Sequence, residues 1–270
     1  MNRLTGNMPR PWDSYRVTLA TAVALLPAVA VFIARHFPAI VAPMLLALGL
    51  GLAWPLLFAW LRRKPLRWDG LLTATVFVLL LPAGVPLWHL ALALSFGLVF
   101  GDLIFGDRGR SFLNPATVGL AFLLFSFPGL GTEPSGLTVT LAAAVGGAIL
   151  LGLGLLSWRV ATAFTIGIAG PLLMLGGIEG LEAMTSASLV LGLVFLVGDP
   201  VAGASTNAGR WVHGGLAGGL VVLLGSAGDS AGSLPSVVFA ALLASILAPL
   251  IDQVVIFFNV RRRARRQSNV

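Results

Sequence analysis

The chain has 270 residues, of which 57% are hydrophobic and 10% charged, and its mean hydropathy is +0.96. A soluble domain carries about a quarter charged residues, so this composition excludes one, and apolar runs that are continuous rather than alternating exclude a β-barrel. The formal charge of +7 does not point to nucleic acid, because nine of the seventeen Lys and Arg lie in two clusters beside apolar runs, "LRRKPLR" and "RRRARR", where they act as topology signals and lipid-headgroup contacts.

In chain order, residues 1–16 form a polar arm with arginines at 3, 10 and 16 and no signal-peptide pattern. Apolar spans are predicted over 17–34 and 39–60, followed by the basic loop. A third starts at Asp69 and stops early at "LPAGVP"; a fourth covers 87–105. "GDRGR" precedes a fifth over 114–127. After "EPSGLTVT" come a sixth over 138–157, a seventh over 160–175 and an eighth over 183–198. The linker "DPVAGASTNAGR" leads to a ninth over 211–225, and a tenth runs over 237–259. The expected fold class is all-α: a polytopic membrane protein of about ten helices, several of them short or broken by proline and glycine. Residues 17–258 form one transmembrane domain, with a basic tail over 259–270.

Ten spans put both termini on one side. With the N-terminus cytoplasmic, sixteen of the seventeen cations fall inside, and Arg35 alone falls outside, as the positive-inside rule requires. "EPSGLTVT" then lies on the outer face. "TVFVLLLP" (Thr75–Pro82) is similar to "LVFLVGDP" (Leu193–Pro200), and "LWH" at 87–89 is echoed by "WVH" at 211–213. Halves of five spans, 17–128 and 138–258, predict an inverted repeat with its site near the broken helices.

Cysteine is absent, which removes disulfides, thiolate metal sites and protein-held iron–sulfur clusters. His36, His89 and His213 are far apart in sequence and read as packing or hydrogen-bonding groups rather than haem ligands. Three stretches stand out from membrane filler: "LNPATVGLAFLLFSFP" (Leu113–Pro128), "GDPVAGASTNAGRW" (Gly198–Trp211) and "EPSGLTVT" (Glu133–Thr140). Taken singly, each reads equally as a helix cap or a linker. Asp69, Asp102, Asp199 and Asp252 lie within or beside apolar runs, where a carboxylate is either part of an ion path or an interfacial cap.

Taken together, the order "DGLLT…LP", "GDRGRSFLNPATVGLAFLLFSFP" and "FLVGDPVAGASTNAGRWVHGGLAGGL" resembles the membrane subunit shared by the Rnf complex (its D subunit) and the sodium-translocating NADH:quinone oxidoreductase (its B subunit). The resemblance covers roughly residues 15 to 258. It implies a multisubunit complex in the bacterial inner membrane that couples electron transfer to sodium or proton movement, with other subunits feeding and draining a flavin. It further implies FMN joined through its phosphate to a threonine in a Ser-Gly-Ala-Thr type sequence, attached by a flavin transferase. The matching residues are Ser135-Gly136-Leu137-Thr138, so the acceptor carried over is Thr138, with Ser135 and Gly136 shaping the loop. Leu137 stands where the family has alanine, and Thr132 where it has an aspartate. The competing reading of Thr138 is an N-cap on the sixth helix; Thr140 is a second acceptor candidate. Asn114 is a further cofactor-binding candidate. The inner linker, with Asp199, Thr206 and Arg210, is nominated by the same resemblance for a second, non-covalent flavin or a quinone-facing surface. Two other functions share the fold: a small-solute channel or transporter, and a scaffold paralogue without flavin.

Overall fold

The computed structural model describes residues 14–105, 111–130, 136–176, 184–227 and 232–267. Most of the N-terminal arm, "GDRGR", Ser135 and most of "GGIEGLE" lie outside them. Ten α-helices are present among the described residues: α1 (Ser14–His36), α2 (Val41–Arg62), α3 (Asp69–Leu79), α4 (Leu87–Leu98), α5 (Pro115–Ser126), α6 (Leu137–Gly152), α7 (Trp158–Gly176), α8 (Ala187–Gly192), α9 (Asn207–Ala227) and α10 (Leu234–Gln267). Three of them, over Tyr15–His36, Val41–Arg62 and Leu234–Arg261, are long and apolar enough to cross a membrane, and six further apolar helical stretches are shorter.

Local chemistry sets the ends. α3 stops at Leu79 because Pro82 and Pro86 cannot continue the donor ladder, and the N–H groups of Leu80 and Leu81 close the last turn on Val76 and Val78. α5 starts with Pro115 at its first position, where a missing N–H costs nothing, behind the Asn114 cap. α2 ends on Arg63, which takes the left-handed conformation (φ 52°) usually left to glycine. The sequence predicted interruptions at proline and glycine. The structure adds π-helical turns that continue α4 over Val99–Leu103 and α8 over Leu193–Val197, a widening common at functional sites. α10 also runs on into the basic tail expected from 259, where Arg and Ala are good helix formers.

The interior is packed by Leu, Val, Ala and Phe, with Phe77 and Phe164 among the largest wholly buried side chains. Where helices meet most closely the contact residues are glycines, as expected where lipid offers no hydrophobic contrast. On the α7–α9 seam, a Cβ on Gly214 would stand 2.5 Å from the Val160 carbonyl oxygen, and one on Gly218 would collide with that of Phe164. Packing partners correspond between the two groups of five helices. α1 lies against α3 as α6 lies against α8; α2 against α4 as α7 against α9; α4 against α5 as α9 against α10. The two groups meet through α1 on α6 and α5 on α10.

One end of the bundle gathers the N-terminal ends of the odd-numbered helices and the C-terminal ends of the even-numbered α2, α4 and α10, together with the π-turn after α8. There Thr18 donates to Asp69, Asn114 to Asp199, and Ser205 and Thr206 to Asp252. Trp158 and Trp211 meet edge to face at 5.6 Å. This is the basic end, since Arg62, Lys64, Arg67, Arg159 and Arg210 all belong to it. At the opposite end, Arg35 meets Gly136, and the Thr140 hydroxyl donates to the Thr185 carbonyl.

Candidate functional site

At the basic end the structure joins two of the stretches singled out in the sequence. Asn114 caps α5 through Oδ1, which accepts from the N–H of Ala116 (2.9 Å) and Thr117 (3.4 Å). Its Nδ2 donates to the carbonyl of Phe195 (3.0 Å) and to Oδ2 of Asp199 (2.8 Å). The side chain is therefore fully used, and the amide orientation follows from its partners. The other Asp199 oxygen accepts from the Val201 N–H at 3.1 Å, while the Asp199 carbonyl accepts from Gly203. Both residues are 8% exposed. An amide and a backbone N–H thus fix the orientation of this buried carboxyl group.

Asp199 separates two cavities. One of about 510 Å³ lies between the helix groups, lined by Thr21, Thr73, Asn114, Leu150, Phe195 and Asp199. The other, of about 470 Å³, is lined by Gly154, Ser157, Asp199, Pro200, Gly203 and Arg210. The Ser157 hydroxyl is buried there without a hydrogen-bond partner. Arg210, in the first turn of α9, turns its Nε to the Ala204 carbonyl (3.4 Å). Thr206 is placed differently from these three. Its hydroxyl donates to Asp252 Oδ1 (2.6 Å) and accepts from the Gly209 N–H (3.1 Å), so it caps α9 and ties the linker to α10. Ser205 does the same through its N–H and hydroxyl, both on Asp252 Oδ2.

Sequence reasoning passed over His213 as ordinary packing. It is 0% exposed, beside the carbonyls of Val197 and Ala244, and neither ring nitrogen makes a hydrogen bond of ordinary geometry. A Cβ on Gly203, in the wall of the second cavity, would approach its Nε2 to 3.7 Å. The signal was present as the "WVH" echo but carried no chemistry until the linker was folded over it.

At the opposite end Gly136, not Thr138, is the N-cap of α6, and no side chain caps that helix. Thr138 sits in the first turn and is exposed. Thr140 is buried, and its hydroxyl donates to the Thr185 carbonyl at 3.0 Å, which leaves Thr138 as the accessible hydroxyl of the two. Gly136 has φ +127°, and a Cβ there would stand 2.5 Å from Nη1 of Arg35. The cation that stood apart in the sequence is thus seated on the glycine that opens α6, two residues before Thr138. The missing side chain leaves room for the guanidinium, and a helix start with a guanidinium beside it suits a phosphate. Among the described residues no group of three or more His, Cys, Asp or Glu could hold a metal.

Apolar helices broken by proline and π-turns, packed around a buried polar junction, define an all-helical integral membrane protein. The model of the NQR2, RnfD, RnfE family matches residues 9–135 and 129–260; the chain belongs to that family. Among its relatives are subunits B of Na(+)-translocating NADH-quinone reductases. Those of Ectopseudomonas mendocina (strain ymp) and Stutzerimonas stutzeri (strain A1501) are each 32% identical over 79% of this chain and 66% of their own length. That of Yersinia pestis is 30% identical over 79% of this chain and 65% of its own. The chain thus spans about two thirds of the length of these curated relatives.

Proposed function

We propose that the protein is a flavin-carrying membrane subunit of an ion-translocating electron-transfer complex of the Rnf/Nqr type, with FMN joined by a phosphoester to Thr138. The observation that carries this reading is the setting of Thr138: an exposed hydroxyl in the first turn of α6, two residues after a glycine against which Arg35 is seated. The ester of FMN with a threonine is a phosphodiester with a single negative charge. The α6 N-terminus and Arg35 provide two independent sources of positive potential for it. The flavin would supply one- and two-electron chemistry. The chain's own residues would fix where it is tethered and keep its phosphate neutralised.

Ten transmembrane spans in two halves of opposite orientation form part of the same reading. The corresponding packing partners of α1–α5 and α6–α10 support it, as do the breaks at Pro82 and Pro200. In this arrangement the basic end is cytoplasmic and Thr138 faces the outer side of a bacterial inner membrane. A second, non-covalent flavin, or the face turned to a quinone, is assigned to the basic end. Asn114, Asp199 and Arg210 line its cavities there, and Thr206 holds the wall in place. The remaining subunits of the complex would deliver and remove electrons, and the coupled ion is sodium or a proton.

Co-expression of the full chain with a flavin transferase, followed by intact-mass analysis and in-gel flavin fluorescence, tests the tether. The reading expects one FMN on the unaltered chain, none on Thr138→Val and an unchanged yield on Thr140→Val. An unlabelled native chain would remove the flavin. A solute-flux assay in liposomes would then separate a transporter of this fold from a scaffold.

A further inference from the structure

The junction of α2 and α3 forms a small pocket open to solvent at the basic end, which the electron-transfer reading does not use. Phe58, Arg62, Lys64, Arg67, Asp69 and Asp102 are among its lining residues. Its shape comes from the left-handed turn at Arg63. The N–H of Arg63 closes on the Trp60 carbonyl (3.3 Å) and that of Lys64 on Ala59 (3.0 Å), so the chain doubles back across the end of α2. This brings Arg62, Lys64 and Arg67 into one lining. Arg62 lies over the Phe58 ring at 5.1 Å. Arg67 donates to Asp69 Oδ2 from both Nε (3.0 Å) and Nη2 (2.9 Å), and Thr18 donates to Oδ1. The charge of Asp69 is thereby matched within the wall. Three cations against two carboxylates leave the lining net positive, before Arg63 on the turn is counted.

The surroundings are those of a membrane interface. Trp60 is 75% exposed and Trp68 53% exposed, one before and one after the loop, and exposed indoles mark headgroup depth. Leu56, Leu57 and Leu61 are also exposed on the adjoining turns of α2, so an apolar strip leads from the pocket toward the bilayer core.

We propose that this pocket binds the phosphodiester headgroup of an anionic glycerophospholipid from the leaflet at the basic end. Arg62 and Lys64 donate to the phosphate oxygens, and an acyl chain follows Leu57 and Leu61. A lipid fits better than a soluble phosphate for two reasons. The exposed leucines and indoles add nothing to the binding of inorganic phosphate. The carboxylates of Asp69 and Asp102 oppose a multiply charged anion more than a singly charged diester. The proposal rests on membrane insertion alone and is independent of the flavin.

The test uses the full chain, purified in detergent, and native mass spectrometry with phosphatidylglycerol or phosphatidylcholine of the same acyl length. Phosphatidylglycerol should be retained at least about tenfold more strongly. Arg62→Gln with Lys64→Gln should erase the preference, while Arg262→Gln with Arg263→Gln, which removes as much charge from the distant tail, should keep it. A photoreactive phosphatidylglycerol should label the unaltered protein within residues 55–70, a result that does not depend on any variant folding. Equal retention of the two lipids, equal loss in the tail variant, or labelling elsewhere would overturn the proposal. Displacement of the lipid by equimolar sn-glycerol 3-phosphate would identify a soluble-phosphate site instead.

Discussion

Arg35 lies at the opposite end of the bundle from the basic loop and linker, and it rests on Gly136. Arg35→Gln should lower FMN incorporation at Thr138 severalfold, and Arg35→Lys should restore part of it, because an ammonium keeps the charge but not the two-pronged geometry. Fluorescence anisotropy of the tethered flavin gives a second readout, expected to fall in Arg35→Gln. Equal yield and equal anisotropy in both variants would rule out a phosphate contact. Asn114 can be judged on stability. Its loss in Asn114→Ala removes a helix cap and strips the buried Asp199 carboxylate of a donor, at a cost of about 3 kcal/mol in all, readable as a lower unfolding temperature in detergent. Both residues were legible in the sequence as members of distinctive stretches. Their bond was not, because they are 85 positions apart and each motif alone looks like a cap. Arg35 was legible only as an exception to a charge rule, since nothing local in "FIARHF" refers to a glycine a hundred positions downstream.

At the level of helices, the sequence placed all ten because apolar runs and proline–glycine breaks are local signals. α3 begins at Asp69 and α5 at Pro115, as Asp69 and Asn114-Pro115 indicated, while α3 ends three residues before Pro82. The π-turns at Val99–Leu103 and Leu193–Val197 escaped it. They arise where a helix is widened by its neighbours, and no run of residue types encodes that. The tight seam of α7 on α9 was also hidden, although "HGGLAGGL" supplies its small residues. Gly218→Leu should force the two helices apart, costing about 1–3 kcal/mol or more, and should lower the thermal midpoint. Gly219→Leu, one position on and with no neighbour within 4 Å of its Cβ, should be nearly silent. Equal effects of the two would show that the seam is not packed this way. Asp252 acts at the same scale. Asp252→Asn leaves four donors from Ser205 and Thr206 facing a neutral amide, and limited proteolysis should then cut the linker between α8 and α9 faster.

Across the whole molecule, the proposed arrangement depends on one polarity: basic loop, Asn114–Asp199 junction and α10 C-terminus at one end of the bundle, Arg35 and Thr138 at the other. The charge distribution predicts this polarity, and the structure gathers Arg62, Lys64, Arg67, Asn114 and Asp199 at one end of the bundle, with Arg35 and Gly136 at the other. What composition could not convey is that the folded helices leave two pockets that share Asp199 in their walls. Enclosure depends on three-dimensional spacing, which no linear pattern records. Because the chain has no cysteine, single thiols can be introduced without background. In intact cells, a membrane-impermeant maleimide should label Thr138→Cys directly and label Arg63→Cys only after permeabilisation. Labelling of Arg63→Cys from outside, with Thr138→Cys protected until the membrane is breached, would contradict the account.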